Sequence, residues 1–293
     1  MTYTSKQTDL PLVVNKVAQL RELLDTVRRR GETIGLVPTM GALHEGHLSL
    51  VRRSKTACDV TVVSIFVNPT QFGPDEDLAE YPRTLDADLR SLADCNVEFA
   101  FVPSNEEVYC PDHRTWVEVT GVTDPLEGKC RPDHFRGVTT VVLKLFNMVG
   151  ADVAYFGQKD YQQAMAIRRM VADLNVPTRI EVCPTVREPD GLAMSSRNTY
   201  LDPNARRRAL VLYESLEMAK QLVDEGNRDA REIAERMRQV IAKAEDARID
   251  YVALADPETL EPVGEITGPT VALLAVHIAD TRLIDNRLLE PSL

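Results

Sequence analysis

Two histidines, His44 and His47, stand three residues apart in "GALHEGHLSL" (41–50), after a glycine turn and before an apolar helical run. Imidazoles at that spacing can ligate a metal, cap a helix, or donate hydrogen bonds to an anion. A zinc site needs a third ligand and commonly an H-x-x-x-H spacing. "HEGH" is one residue short of that, and no Cys or His cluster stands beside it. Helix capping is the plain reading of an isolated pair. Anion binding gains from the context. Gly41 and Gly46 allow close backbone approach to a ligand, and the helix starting near His47 offers unpaired N–H groups and the positive end of its dipole. Neither the G-x-x-x-x-G-K-[ST] loop nor the G-x-G-x-x-G fingerprint occurs, so a nucleotide site here is of another kind.

A second polar loop, "GLAMSSRNTYL" (191–201), has the donors for the same task. Its serine hydroxyls and backbone N–H groups can meet phosphate oxygens, and Arg197 can fork two of them. By itself the stretch reads equally as a linker with helix-capping serines. Lys159 in "GQKDYQQ" (157–163) stands at another strand-to-helix join, where an exposed loop lysine is the alternative.

Those groups need elements to position them. "TIGLVPT" (33–39) reads as a buried strand stopped by Pro38, and "HLSLVRRSKTA" (47–57) as a helix. "VTVVSIFVN" (60–68) is nearly continuous and β-branched, as a strand covered on both faces should be. A helix over 84–95, a strand over 97–103, a helix over 138–150 closed by Gly150, a strand over 152–157, a helix over 160–175 capped by Asp160 and a strand over 178–186 follow. This alternation predicts an α/β fold, a doubly wound, Rossmann-like parallel sheet. Such sheets bind ligands beyond the carboxyl ends of their strands, where strand order reverses. From about residue 187 the pattern changes. Helices over about 203–225, opened by Asp202 and Pro203, and 228–245 precede strands near 249–254 and 270–278. The expected division is 1–187, carrying the ligand site, and 188–293, a smaller α+β domain.

The chain has 293 residues, 44% hydrophobic and 27% charged, ample for a core without disulfide or metal support. A net charge of -11 argues against a surface for duplex nucleic acid but permits a locally positive nucleotide site. Five cysteines, an odd number with no C-x-x-C pair, suggest reduced thiols. No secretory signal is read at the N-terminus and no apolar stretch approaches the roughly 20 residues that span a bilayer, so the expected location is cytoplasmic.

A strand, then "HEGH", then a helix resembles the His-x-Gly-His motif of nucleotidylyltransferases and class I aminoacyl-tRNA synthetases. "MSSR" (194–197) resembles a variant of their Lys-Met-Ser-Lys-Ser loop, with Ala193 and Ser196 where lysines stand in the synthetases. Lys159 is the lysine available in their stead. Together, "PTMGALHEGH", "FVNPTQF" (66–72), "RPDHFRGV" (131–138), "GQKDYQQ" and "MSSRN" resemble the pantoate–β-alanine ligase (pantothenate synthetase) family over nearly the whole chain, less closely after residue 205.

The resemblance implies an AMP-forming ligase of pantothenate biosynthesis, toward coenzyme A. It would condense pantoate with β-alanine through a pantoyl adenylate, releasing pyrophosphate and AMP. It implies His47, His44 and Lys159 in the chemistry. ATP would be held by Pro38, Thr39, Met40, Gly41, His44, His47, Gly157, Lys159, Asp160, Val186, Met194, Ser195, Ser196 and Arg197. Met40, Asn68, Gln71 and Gln163 would hold pantoate and β-alanine, with Phe72 beside the gem-dimethyl group, whereas Gln162 reads as an ordinary surface glutamine. Arg131 and Arg136 either flank a loop over the phosphates or are surface charge. Mg²⁺ is expected mainly on the ATP phosphates. Asp88 and Asp160 are candidate helpers between which the sequence does not choose. A homodimer is implied, with no nucleic acid or membrane partner. The 188–293 domain is expected to close over the site, with the "MSSRN" segment as its hinge. Three other readings share the loops: a plain nucleotidyltransferase without Gln71 and Gln163, a fragment of a class I synthetase, and a non-enzymatic nucleotide sensor.

Overall fold

The computed structural model of the chain describes residues 10–74 and 76–291. In chain order the elements are β1 Leu12–Val14, α1 Val17–Arg29, β2 Ile34–Thr39, α2 Glu45–Ala57, β3 Val60–Ile65, α3 Leu85–Asp94, β4 Phe99–Phe101, α4 Asn105–Val108, α5 Glu127–Cys130, α6 His134–Val149 and β5 Val153–Gly157. They continue with α7 Tyr161–Asp173, β6 Arg179–Cys183, α8 Pro203–Arg208, α9 Leu210–Asp224, α10 Ala230–Ile241, β7 Arg248–Ala255, β8 Thr270–Ile278 and β9 Thr281–Leu289. Two compact units result. The first takes the chain up to Val119 with Asp133–Gly157 and Ile167–Cys183. The second takes Thr120–Pro132, Gln158–Ala166 and Pro184–Leu293. Among the described residues no helix is long and apolar enough to cross a membrane.

The first unit is built on a six-stranded parallel sheet in the order β1-β4-β3-β2-β5-β6. Every residue of β3 and five of the six in β2 are buried, as the unbroken apolar runs predict for strands covered on both faces. From β2 the chain builds outward through β3 and β4, then returns to lay β5 and β6 on the other side of β2. Strand order therefore reverses between β2 and β5, and sheets of this kind bind ligands beyond the carboxyl ends at such a point. α2 lies directly on this sheet. A side chain at Gly35 would put its Cβ 2.1 Å from Ser54 Oγ, so only glycine allows that approach. Ser54 Oγ in turn lies 2.7 Å from Thr61 Oγ1, a buried hydroxyl pair that ties α2 to β3. The close seat fixes where α2 starts, and with it where the two histidines stand.

The second unit has a three-stranded antiparallel sheet, β7-β8-β9. α9 and α10 bury Leu212, Leu216, Ile233 and Met237 in one core with Leu254, Leu274 and Leu283 of the sheet. From β7 and β9, Tyr251 and Arg282 also reach Glu127 of α5.

Several boundaries differ from the sequence expectations. α2 begins at Glu45, two residues early, because His44 caps it. The expected helix over 203–225 divides at Ala209, which keeps right-handed angles (φ -62°, ψ -18°) but interrupts the ladder. The strand expected over 60–68 stops at Ile65, and Asn68 opens a 3₁₀ turn at Pro69–Gln71. β1, α1 and β9 fall outside the expected elements, although α1 spaces Leu20, Leu24 and Val27 along one buried helical face. β9, "TRLIDNRLL", mixes charge into both faces, and its partners show why below.

Candidate active site

The "HEGH" segment forms the first turn of α2. Gly46 N donates to Nδ1 of His44 at 3.1 Å, and His44 N donates to Nδ1 of His47 at 3.3 Å. The pair thus closes a reciprocal cap, with the two rings 4.1 Å apart. An Nδ1 that accepts assigns the proton of a neutral ring to Nε2, so both imidazoles present Nε2 as donor. The capping reading and the anion reading are therefore compatible: the backbone bond at one nitrogen orients the other. The preceding turn is equally fixed. Thr39 Oγ1 donates to Ser64 O at 2.7 Å and accepts from Gly41 N at 3.2 Å. Asp88, 2% exposed, accepts from Leu43 N at 2.8 Å and Thr84 Oγ1 at 3.2 Å through one oxygen, and from Ala42 N at 3.0 Å through the other. Its observed work is to hold the 41–44 loop. Pro38, Thr39, Met40, Gly41, His44 and His47 thus form one contiguous rim at the end of β2, on the strand beside β5, which ends at Gly157.

Met40, Asn68 and Gln71 are also brought together. Asn68 Nδ2 donates to Gln71 Oε1 at 3.1 Å, and Gln71 Nε2 points to Met40 Sδ at 3.2 Å. Asn68 is 1% exposed and engaged at both ends, since its Oδ1 accepts from Tyr109 OH at 2.9 Å and Thr70 Oγ1 at 3.0 Å and its Nδ2 reaches Gly137 O at 3.3 Å. Asn68 orders the turn, and the half-buried amide of Gln71 is what the turn presents. Phe72 packs edge-on against Tyr81. Arg136 stacks over Trp116 at 4.7 Å and lies 3.9 Å from Asp133.

In the second unit, Lys159 Nζ lies 3.7 Å from Asp160 Oδ1, with the lysine side chain 19% exposed and the aspartate 48%. Gln163 is half-buried in the first turn of α7. Residues 186–198 fold into a tight turn. Arg187 bridges Ala193, Met194 N donates to Val186 O at 3.0 Å, and Asn198 Nδ2 donates to Glu188 Oε1 at 2.9 Å. Ser195 caps the 3₁₀ turn of Ser196–Tyr200 by accepting from Arg197 N at 3.3 Å. Val186, Met194, Ser195, Ser196 and Arg197 are therefore one ordered group with Leu192 buried beneath them.

Gln162 is a correction. Its sequence context reads as surface, but it is 3% exposed. Its Nε2 donates to Val122 O at 2.9 Å and Pro125 O at 2.8 Å, and its Oε1 accepts from Glu127 N at 3.0 Å. Sequence reasoning also missed the ionic cluster of Glu127, Arg282 and Tyr251. Burial pushes the Glu127 carboxyl up, but the Arg282 fork, the Tyr251 hydroxyl and Arg131 pull it further down, so it lies below the usual range. Arg131 stands 3.8 Å from Glu127 rather than alone at the surface. Among the described residues no group of three or more His, Cys, Asp or Glu side chains could hold a metal ion.

A family model described as Pantoate-beta-alanine ligase matches residues 12–288. The pantothenate synthetase of Moorella thermoacetica is 52% identical over 278 residues, 95% of this chain and 98% of that protein. That of Thermotoga neapolitana is 52% identical over 277 residues, 94% of this chain and 99% of that protein. Among solved structures, the pantothenate synthetase of Thermus thermophilus superposes with a TM-score of 0.91 at 43% identity, covering 95% of this chain and 99% of its own. The pantoate-beta-alanine ligase of Francisella tularensis, complexed with beta-gamma ATP and beta-alanine, gives 0.79 at 36% identity, with 95% and 97% covered.

Proposed function

This chain belongs to the pantoate–β-alanine ligase family, and from that premise we propose that His47, His44 and Lys159 carry its adenylation chemistry. The reaction itself is the family's. A pantoate carboxylate oxygen attacks the α-phosphorus of ATP, the bond to the β-phosphate breaks and pyrophosphate leaves. The β-alanine amine then attacks the acyl carbon of pantoyl adenylate, loses a proton, and AMP departs, giving pantothenate.

Negative charge grows on the α-phosphoryl oxygens and on pyrophosphate, so the catalysis needed is placement and oriented donors. The observation that carries the assignment is the reciprocal cap of His44 and His47 at the carboxyl end of β2, which directs both Nε2 donors while the α2 N-terminus adds its dipole. We assign ATP further to Pro38, Thr39, Met40, Gly41, Gly157, Asp160, Val186, Met194, Ser195, Ser196 and Arg197. Gln71 and Gln163 would bind the pantoate hydroxyls, since an amide supplies both donor and acceptor. Met40 would face the gem-dimethyl group and Asn68 would hold Gln71 in register.

Among the described residues no carboxylate, imidazole or thiol group forms a cage for a cation, and Mg²⁺ would arrive on the ATP phosphates, with Asp160 the carboxylate beside Lys159. We further propose a cytoplasmic homodimer, for which sedimentation equilibrium should return twice 32.7 kDa; a monomer would overturn it. An acyl adenylate hydrolyses in open water, which favours closure of residues 188–293 during adenylation. Small-angle scattering with and without ATP and pantoate should register that closure, and identical curves would count against it.

The first test is pyrophosphate release from ATP and Mg²⁺ with pantoate. A stoichiometric burst without β-alanine, becoming steady AMP and pantothenate production when it is added, is expected. Pyrophosphate release independent of pantoate would discard pantoate as the ligand of Gln71 and Gln163 while leaving the phosphate-binding loops standing.

A further inference from the structure

Asp285 and Asn286 are adjacent in β9 and almost wholly buried, at 3% and 2% exposure. Two polar side chains in succession inside a strand point to opposite faces, and each must find partners. Asn286 Nδ2 donates to the main-chain oxygens of Gln158 and Lys159, both at 2.9 Å, and its Oδ1 accepts from Gln158 Nε2 at 3.2 Å. One amide thus grips two successive carbonyls, the second belonging to Lys159 itself. Asp285 forks Arg187, with Oδ2 2.6 Å from Nη1 and Oδ1 3.0 Å from Nη2. Arg187 Nη1 also donates to Gly191 O at 3.0 Å, and the guanidinium lies over the Tyr213 ring at 5.0 Å. Arg187 bridges Ala193 at the base of the turn that presents Met194–Arg197. One dipeptide therefore anchors the Lys159 segment on one face of β9 and the Ser195–Arg197 turn on the other.

We propose that Asp285 and Asn286 are positioning residues for adenylation, which set Lys159 and the 194–197 turn in one fixed relation. This rests on the reading that Lys159 and Arg197 bind the ATP phosphates. Neither residue of the pair needs to touch substrate. Each holds backbone from which a phosphate-binding side chain projects, and a shift of about 1 Å in such a side chain can cost about 10²-fold in rate.

Pantoate-dependent exchange of pyrophosphate into ATP, with kcat and both KM values resolved, tests this in double-mutant cycles on the full chain. Asn286→Ala should lower the exchange kcat by about 10- to 100-fold with the pantoate KM little changed. In a Lys159→Ala background the same change should cost less than about 3-fold, because residues acting as a unit are not additive. Asp285→Asn combined with Arg197→Ala should behave likewise. Asn286→Leu, which keeps the approximate size and loses the donor without adding charge, should match Asn286→Ala and replaces it if the alanine variant does not fold. Equal costs in both backgrounds, or unchanged exchange in a folded Asn286 variant, would overturn the proposal. So would failure of both Asn286 variants to fold, which would mark a purely structural pair. An unchanged rate in Lys159→Ala alone would instead overturn the role given to Lys159, and the proposal with it.

Discussion

At the scale of single residues, the site depends on which nitrogen or oxygen of each side chain is already used. His44 and His47 commit Nδ1 to the backbone, so the ring direction is set before any ligand arrives. Asp88 commits both carboxylate oxygens to the loop and Thr84. The two act differently when removed. His47→Ala should leave the thermal midpoint within a few degrees and lower the adenylation kcat by about 10² to 10³, the usual cost of one oriented donor to a developing oxyanion. Pyrophosphate release checks this, and full activity would end the assignment. Asp88→Ala leaves two backbone N–H groups unsatisfied and should cost about 1–3 kcal/mol of stability. Activity should fall with the loop's order, while the half-saturating Mg²⁺ concentration stays the same. A large rise in the Mg²⁺ requirement would identify Asp88 as a metal ligand instead.

At the scale of elements, close approaches decide where side chains end up. α6 crosses the Asn68 turn so tightly that a Cβ at Gly137 would lie 2.3 Å from Thr70 O and 2.8 Å from Gln71 N. Those atoms are backbone and cannot swing away. Gly137→Ala must displace either α6 or the turn that presents Gln71. The expected result is a loss of about 1–3 kcal/mol in stability together with a higher pantoate KM and a nearly unchanged ATP KM. Equal rises in both constants would argue that Gln71 does not serve pantoate. His134 adds to the same junction, its Nδ1 lying 2.8 Å from Gln71 O.

At the scale of the molecule, long-range ion pairs secure the segments that loop out of sequence order. Glu127 and Arg282 are 155 residues apart and meet at 2.7 and 2.8 Å. In the folded state the glutamate's pKa is lowered, so the unfolded chain takes up the proton first as pH falls. The stabilisation is complete above the ordinary glutamate value of about 4.3 and is lost as pH drops through the folded value. Glu127→Gln should therefore flatten the acid limb of stability against pH below about 4.3. It should also cost about 1–3 kcal/mol at neutral pH. Urea unfolding between pH 3 and 7 measures both, and an unaltered acid limb would show that Glu127 titrates as in the unfolded chain.

The sequence by itself determined the parallel sheet, because both-face burial forces continuous apolar runs such as "VTVVSI", and helices between them leave only crossover connections. It determined the two histidines' place at a helix start, because the glycine turn and the apolar period are local signals. The family followed from five motifs in order, a match that needs no coordinates. Tertiary structure alone decided the rest. Gln162 is buried by carbonyls some forty residues earlier, Asp88 by a loop some forty-five residues earlier, and Asn286 by a carbonyl 127 residues away. β9 lacked a legible period because its polar residues are satisfied by those distant partners. A pattern read along the chain cannot contain a hydrogen bond that only chain reversal creates.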